Sequence, residues 1–183
     1  LGDVYKRQSL ICSTYGHTLV LFTSYTLMGS VYQILRDGIP FPMVEVWRHS
    51  QEEILRFKTM ENAVLFAAGS CWEGVDFPGD MVSSLIIVKL PFSVPDPIHE
   101  AQREQYRSLE SYIQNVVVPD MQKKLRQGFG RAIRTEQDTC VVSILDHRAA
   151  KKGKYRGDVL DALPKCQMAE KIDEVEDFIP VSY

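Results

Sequence analysis

Residues 18–24 read TLVLFTS, a short apolar run that is rich in residues favouring β-strands. Its apolar residues follow no helical period, which predicts a buried strand. Four further strands are predicted along the chain, at residues 42–48, 63–69, 84–90 and 139–145. Strands that are apolar throughout and alternate with helices form parallel sheets covered on both faces, so the sequence predicts an α/β fold.

Helical segments are predicted between these strands from the spacing of apolar residues and from turn signals. They lie at residues 25–38, 51–60, 99–114, 119–133 and 157–163. We expect one domain over residues 9–164 and an acidic tail over residues 165–183. Residues 3–8, DVYKRQ, match the translated transposon end of a DNA library kit, so residues 1–8 are interpreted as adapter sequence.

The composition is that of an ordinary globular protein, with 45% hydrophobic and 25% charged residues. No apolar run approaches the roughly 20 residues that cross a bilayer, and no secretory signal is visible. We therefore expect a cytoplasmic protein with no membrane partner. The four cysteines form no close pair, so free thiols and no metal site are expected.

Charge is distributed unevenly along the chain. Residues 123–156 hold ten Lys and Arg against three acidic residues, a net charge of +7, whereas residues 157–183 hold two Lys against seven acidic residues, a net charge of −5. A basic stretch of this size attracts a polyanion such as nucleic acid or a nucleotide. A solvated surface balanced by the acidic tail explains it equally well.

The stretch QGFGRAIR, residues 127–134, combines apolar residues with two arginines. At about 100° per residue, a helix would bury one side and present the opposite side outward. The apolar side holds Leu125, Phe129 and Ile133, and the outward side holds Gln127, Arg131 and Arg134.

Two guanidinium groups on one face suit phosphate oxygens and would stabilise a transferring phosphoryl group. Solvated surface arginines are the alternative. Gly128 and Gly130 each cost a helix about 1 kcal/mol relative to alanine, which indicates that something approaches the backbone closely.

The stretch GSCWEGVDFPGD, residues 69–80, follows the third strand and is typical of an ordered loop. Gly69 and Gly74 would let backbone amides face a phosphate or a sugar. Glu73 and Asp76 would accept hydrogen bonds from a ribose, a water or an arginine. A turn-rich connection is the alternative.

Ser24 and Tyr25 follow the first strand, where hydroxyl groups and free amides at a helix start suit a nucleic-acid phosphate. Ser24 as a simple helix cap is the favoured interpretation when this segment is taken alone. His147 is interpreted as a surface or packing residue. Trp47 and Trp72 are interpreted as core or lid residues in preference to base-stacking platforms. The sequence contains neither a G-x-x-x-x-G-K-[ST] loop nor a strand ending in paired acids for magnesium, so a nucleoside triphosphate would have to be held by another domain.

Together these stretches resemble a known family. LVLFTSY (19–25), GSCWEGVDFPGD with LIIVKLPF (85–92), and QGFGRAIR followed by LDHR (145–148) occur in the order of motifs IV, V and VI of superfamily 2 helicases. They are most similar to the second RecA-like domain of DinG/XPD-like ATP-dependent DNA helicases of the bacterial DinG type, over residues 9–164. The resemblance implies a RecA-like, mainly parallel sheet with helices on both faces.

The resemblance also implies site residues and partners. Gln127 would lie near the γ-phosphate and the attacking water. Arg131 and Arg134 would reach across the cleft as arginine fingers. Lys89 and Arg148 would lie further from the nucleotide. Gly74, Asp76, Glu73 and Gly130 would couple ATP to DNA, and Ser24 and Tyr25 would face the DNA backbone. ATP with Mg²⁺ would be held by an N-terminal RecA-like domain of the same polypeptide, and the partner would be single-stranded DNA. A non-catalytic nucleic-acid-binding or adaptor module is the alternative, and a small-molecule Rossmann enzyme is disfavoured because no glycine-rich fingerprint follows the first strand.

Overall fold

A five-stranded parallel sheet forms the centre of the described chain. The computed structural model describes residues 2–48, 51–72, 74, 77, 81–94, 96–133, 135, 138–169 and 172–174. The strands are β1 (Thr18–Phe22), β2 (Met43–Val46), β3 (Val64–Ala68), β4 (Ser84–Ile87) and β5 (Val141–Ile144). Their order is β2-β3-β1-β4-β5, and every neighbouring pair is parallel. The predicted α/β fold and the five predicted strand positions are confirmed.

The first predicted strand, β1, occupies the middle of this sheet. Thr18 pairs with Val64 of β3 on one side and with Ser84 of β4 on the other. All residues of β1, β3 and β4 are buried, whereas the edge strands β2 and β5 are partly exposed. A run that is apolar throughout is therefore the signature of a central strand here, because both of its faces are covered.

Helices follow or precede each strand. They are α1 (Gly2–Ser13), α2 (Tyr25–Leu35), α3 (Gln51–Lys58), α4 (Pro97–Glu104), α5 (Leu109–Tyr112), α6 (Val118–Phe129) and α7 (Arg156–Ala162), and a π-helical segment, Ile113–Val117, joins α5 to α6. The helix predicted over residues 99–114 is wrong as one element, because a break at residues 105–108 divides it. Helix α1 covers most of the segment interpreted as adapter sequence. None of the described helices has the length and apolar character to span a membrane.

Two apolar cores lie on the two faces of the sheet. Successive strand residues point to opposite faces, so Leu19 and Leu21 enter one core while Val20 and Phe22 enter the other. The first core also contains buried residues of α6 and α7, and the second contains buried residues of α1 and α2. The three layers predicted from the strand and helix alternation are present.

Helix α6 differs from the helix predicted over residues 119–133. It ends at Phe129, with Gly130 as its C-cap, and its buried residues are Val118, Met121, Leu125 and Gly128. The predicted apolar side of Leu125, Phe129 and Ile133 is therefore wrong, since only the first of these is buried. Gly128 belongs to the buried face of α6, where its lack of a side chain lets a neighbouring group approach the helix backbone.

Trp72 explains why position 128 is glycine. A methyl group built on Gly128 would lie 2.8 Å from Cε3 and Cζ3 of the Trp72 ring, a separation that such contacts essentially never reach. The indole is 5% exposed, and its Nε1–H donates a hydrogen bond to the carbonyl oxygen of Phe22 at 2.9 Å. The close approach predicted from the glycine exists, but the approaching group is a side chain of the same chain.

Asp146 ties the ends of β4 and β5 together. Its buried carboxylate accepts hydrogen bonds from the Leu90 backbone N–H at 3.0 Å, from the Arg148 backbone N–H at 3.0 Å and from the Arg148 guanidinium at 2.6–3.1 Å. Burial alone raises the pKa of Asp146, but the hydrogen bonds from the Arg148 side chain, Leu90 and the Arg148 backbone outweigh it and lower that pKa to about 2. The carboxylate is thus ionised and satisfied.

The contact between α6 and Trp72 predicts the effect of a single methyl group. Gly128→Ala overpacks the core, which typically costs about 1–3 kcal/mol and exceeds the about 1 kcal/mol that alanine gains in a helix. Urea unfolding should show a lower free energy of unfolding for this variant. Gly157→Ala in α7 is the matched control, because no atom lies within 4 Å of the added methyl group, and it should be neutral or slightly stabilising. Equal stability of the two variants would contradict the packing.

The Asp146 carboxylate predicts a pH dependence of stability. Because its pKa in the folded chain is lowered to about 2, its contribution is present above the ordinary aspartate value and is lost as the pH falls from about 4 to about 2. That contribution is roughly 2 kcal/mol. Asp146→Asn should be less stable at pH 7 and should lose less stability over that acidic window. Asp161→Asn on α7, an exposed position, controls for removal of a carboxylate. If the free energy of unfolding changed with pH in the same way for wild type and Asp146→Asn, the predicted contribution of the Asp146 carboxylate would be wrong.

Candidate functional site

The carboxyl ends of the parallel strands form one edge of the sheet, where ligands bind in folds of this class. Each strand delivers a different segment to this edge: Ser24 and Tyr25 follow β1, Trp47 and Arg48 follow β2, Gly69 follows β3, Lys89 follows β4, and Asp146 follows β5. Polar, aromatic and cationic groups thus surround an edge whose strands are themselves apolar.

Gln127 lies on the last turn of α6 and is partly buried. Its Oε1 atom is buried and has no hydrogen-bond partner within the described part of the chain. An amide oxygen that is buried without a donor costs about 1–3 kcal/mol, so this oxygen is available to accept a hydrogen bond from a bound water or another bound molecule. This atom is the candidate acceptor of the site.

Arg131 follows the helix in the turn that begins at Gly130. It is partly buried, and its Nε–H donates to the backbone carbonyl oxygen of Gln127 at 3.3 Å. The sequence predicted that this residue extends from the outer face of a continuous helix, which is wrong because the helix has ended two residues earlier. The guanidinium group is held back along the end of α6, next to Gln127.

Gly130 adopts ordinary helical angles, φ −64° and ψ −5°, and its N–H donates to the carbonyl oxygen of Arg126 at 2.9 Å. A methyl group there would meet only backbone oxygens of the same helix, at 3.4 Å or more, so no described group makes the close approach predicted at Gly130. Gly74 is exposed. Arg134, Glu73 and Asp76 lie outside the described residues.

Ser24 caps helix α2. Its backbone is extended, and its Oγ accepts a hydrogen bond from the Leu27 N–H at 3.4 Å, so the favoured interpretation of this serine is confirmed. The side chain is nevertheless exposed at the edge of the sheet. Capping and a role toward a ligand remain compatible, since a hydroxyl group also carries a donor.

Tyr25 stacks on Trp47 with 5.7 Å between ring centroids and 16° between ring planes. The guanidinium carbon of Arg48 lies 5.5 Å from the centroid of the Tyr25 ring. Gly69, at φ +62°, leaves room for the tyrosine hydroxyl, because a methyl group there would lie 2.5 Å from that oxygen. The strand ends of β1, β2 and β3 therefore meet around one aromatic ring.

The sequence analysis disfavours a base-stacking role for Trp47 and gives Arg48 no role. Trp47 was interpreted as a core or lid residue, yet 47% of it is exposed. The rule that places ligands after the carboxyl ends of strands would have selected this segment, because it follows β2 directly. Glu45, two residues before Trp47, is partly buried. Burial raises the pKa of the Glu45 carboxyl, and a hydrogen bond with the Trp47 side chain opposes that rise.

Trp72 brings the three predicted segments together. It belongs to the loop after β3, bonds to Phe22 at the end of β1, and packs on Gly128 beside Gln127. Its interpretation as a core residue is confirmed, but its linking role was missed. No spacing within one sequence pairs a loop tryptophan with a helix glycine more than fifty residues away.

The carboxyl edge of the sheet offers cationic and polar groups rather than a set of metal ligands, as far as the described residues extend. No group of three or more His, Cys, Asp or Glu side chains there is placed to hold a metal ion. The cysteines are free, and burial raises the pKa of the Cys71 thiol to about 11 and that of Cys140 to about 12. Arg148 is engaged by Asp146 and lies over the Phe92 ring at 4.7 Å, and Lys89 is exposed.

Comparison with known proteins places the chain in a family. Residues 8–166 match the family model described as helicase C-terminal domain. The chain is 37% identical over 170 residues to the "3'-5' exonuclease DinG" of Bacillus subtilis, covering 88% of this chain and 18% of that protein. It is 37% identical over 160 residues to the "ATP-dependent DNA helicase DinG" of Photobacterium profundum, covering 80% and 22%. It is 33% identical over 169 residues to the "ATP-dependent DNA helicase YoaA" of Escherichia coli, covering 91% and 26%.

Solved structures of XPD share the fold. One XPD helicase chain aligns with a TM-score of 0.67 at 22% identity, covering 87% of this chain and 30% of its own, and an XPD chain without ligand aligns with a TM-score of 0.68 at 24% identity, covering 91% and 36%. The sheet with helices on both faces is thus the RecA-like fold expected from the resemblance. The chain spans about a fifth to a quarter of the curated relatives it matches. It belongs to the helicase C-terminal domain family and resembles the corresponding domain of DinG- and XPD-like helicases.

Proposed function

We propose that this chain is the second motor domain of an ATP-dependent DNA helicase, which couples ATP hydrolysis to movement along single-stranded DNA and to duplex unwinding. In this proposal an N-terminal RecA-like domain of the same polypeptide holds ATP with Mg²⁺. This chain supplies Gln127, Arg131 and Arg134 from across the cleft. The proposal concerns the longer protein, because one half of such a site does not turn over ATP alone.

The observation that carries the proposal is the position of Trp72. Its hydrogen bond to Phe22 and its contact with Gly128 place the glutamine–arginine segment beside the ends of β1 and β3. Gln127 and Arg131, proposed to meet ATP, therefore lie on the same edge of the sheet as Ser24 and Tyr25, proposed to meet DNA. A shift of either group is transmitted to the other through packed atoms rather than through a flexible linker.

Gln127 and Arg131 fit a triphosphate in different ways. The unpaired Oε1 of Gln127 is an acceptor that suits an attacking water, and a guanidinium group suits phosphate oxygens and stays charged at every working pH. When ATP is bound, it supplies the phosphoryl group whose charge these side chains stabilise. Arg131 would then exchange its bond to the Gln127 carbonyl oxygen for a phosphate oxygen as the two domains close.

The DNA contacts are proposed for the neighbouring segments. Ser24 and Tyr25 lie at the start of α2, where free amides and a hydroxyl group suit backbone phosphates. Gly74, Glu73, Asp76 and Gly130 are proposed to couple this contact to the nucleotide, because their segments flank Trp72 and Gly128. We also propose that the protein acts in the cytoplasm.

Arg131→Ala tests the arginine-finger role in the polypeptide that includes the ATP-binding domain. Loss of a finger removes charge stabilisation from the transition state, so DNA-stimulated ATP turnover should fall by roughly 3–5 orders of magnitude. The measurement is steady-state ATP hydrolysis with saturating single-stranded DNA. Arg126→Ala, one turn earlier on α6 and exposed, removes the same charge and should retain turnover.

Two results would count against the proposal. Near-normal hydrolysis by Arg131→Ala would end its assignment as a finger. Binding of single-stranded DNA that is independent of nucleotide, in a polypeptide with no ATP turnover, would support the non-catalytic binding module instead.

A further inference from the structure

Trp47, Tyr25 and Arg48 form a cluster at the carboxyl ends of β1 and β2. We propose that the exposed face of the Trp47 indole in this cluster is a stacking platform for one unpaired base of a single-stranded nucleic acid, with Arg48 at the adjacent phosphate. The inference rests on the proposed function only in taking single-stranded DNA as the partner. Trp47 and Arg48 lie outside the three helicase motifs, and the ligand part proposed for Trp47 is a base rather than a phosphate.

The geometry of the indole supports this assignment. Trp47 is fixed on one face by the Tyr25 ring, at a centroid separation of 5.7 Å that is typical of offset stacking. Its Cη2 and Cζ2 atoms would lie 3.4 and 3.5 Å from a methyl group on Gly29, so the ring edge rests against helix α2. A tryptophan that is held in place and still 47% exposed offers a rigid planar surface, which loses little conformational freedom on binding.

The charge beside the platform favours a nucleotide over an apolar peptide. Arg48 is exposed and lies over the Tyr25 ring at 5.5 Å, within the range of a cation–π contact. Exposed Ser24 lies one residue from Tyr25, at the positive end of α2. An aromatic plane flanked by a guanidinium group and a helix N-terminus matches the alternation of base and phosphate along a single strand.

The location supports the same conclusion. The platform lies beyond β2, which is an edge strand, while β5 ends at the opposite side of the sheet. A strand of nucleic acid that contacts Ser24 after the central strand β1 can continue toward Trp47 along the same carboxyl edge. Duplex DNA does not fit this role, because its bases are already stacked on their neighbours.

Intrinsic fluorescence of the 183-residue chain gives a direct test. The chain has two tryptophans, and Trp72 is buried, so quenching by an added oligonucleotide reports on Trp47. A deoxythymidine oligonucleotide of about 10 nucleotides should quench this emission, and an abasic oligonucleotide of equal length should not. Fluorescence anisotropy of labelled oligonucleotides at one fixed salt concentration measures affinity in parallel.

Substitutions at Trp47 measure the contribution of base stacking to the affinity. Trp47→Ala should bind the thymidine oligonucleotide about 5- to 100-fold more weakly, because one base–aromatic stack is lost, and should bind the abasic one as wild type does. Trp47→Phe should restore most of the affinity, and Leu55→Ala, which shortens an apolar side chain that is 62% exposed on α3, should have no effect. Circular dichroism establishes that each variant is folded.

Equal affinity of wild type for the thymidine and abasic oligonucleotides would overturn the platform while leaving the proposed helicase function intact. Wild-type affinity in Trp47→Ala would do the same. Absence of any binding to single-stranded DNA at low salt would overturn both the platform and the DNA partner of the proposed function.

Discussion

The hydrogen bond from the Trp72 indole to the Phe22 carbonyl oxygen determines how the carboxyl edge of the sheet is assembled. This bond satisfies a backbone acceptor at the end of the central strand, and the same ring fills the space that Gly128 leaves open on α6. One buried side chain therefore fixes three segments that are far apart along the chain. Because interiors are packed this closely, a displacement of any one of the three segments must be accommodated at the Trp72 ring.

Electrostatic and apolar contributions have separate places in this fold. The two apolar cores hold the helices against the sheet, while the buried and well-satisfied carboxylate of Asp146 joins the loops after β4 and β5. Removing a partner from such a buried group is costly, since the remaining charge loses its hydrogen bonds. The Asp146 carboxylate thereby joins the loop that carries Leu90 to the loop that carries Arg148, and the Arg148 guanidinium lies over the Phe92 ring.

The strands were predictable from sequence because runs such as residues 18–24 and 84–90 are apolar throughout, and only a parallel sheet covered on both faces buries them. The helix ends were less predictable. The apolar spacing of α6 continues past Phe129, yet the helix ends there and the chain turns at Gly130. A single sequence does not show that Trp72 packs against Gly128. Resemblance to helicase motifs located Gln127 and Arg131, but their actual positions depend on that turn. The sequence favours a core or lid role for Trp47 over base stacking, because an isolated aromatic residue after a strand is usually part of a core.

On the proposed helicase function, ATP turnover by a Trp72→Phe variant of the longer polypeptide tests the role of this tryptophan most directly. Phenylalanine keeps an aromatic ring near Gly128 but removes the donor to Phe22, so the arginine segment loses its fixed relation to β1. DNA-stimulated ATP hydrolysis should fall by about 100-fold in a variant that remains folded, because a displacement of about 1 Å in a positioned group costs about that much in rate. Wild-type turnover in a folded Trp72→Phe variant would show that the three segments are aligned without this contact.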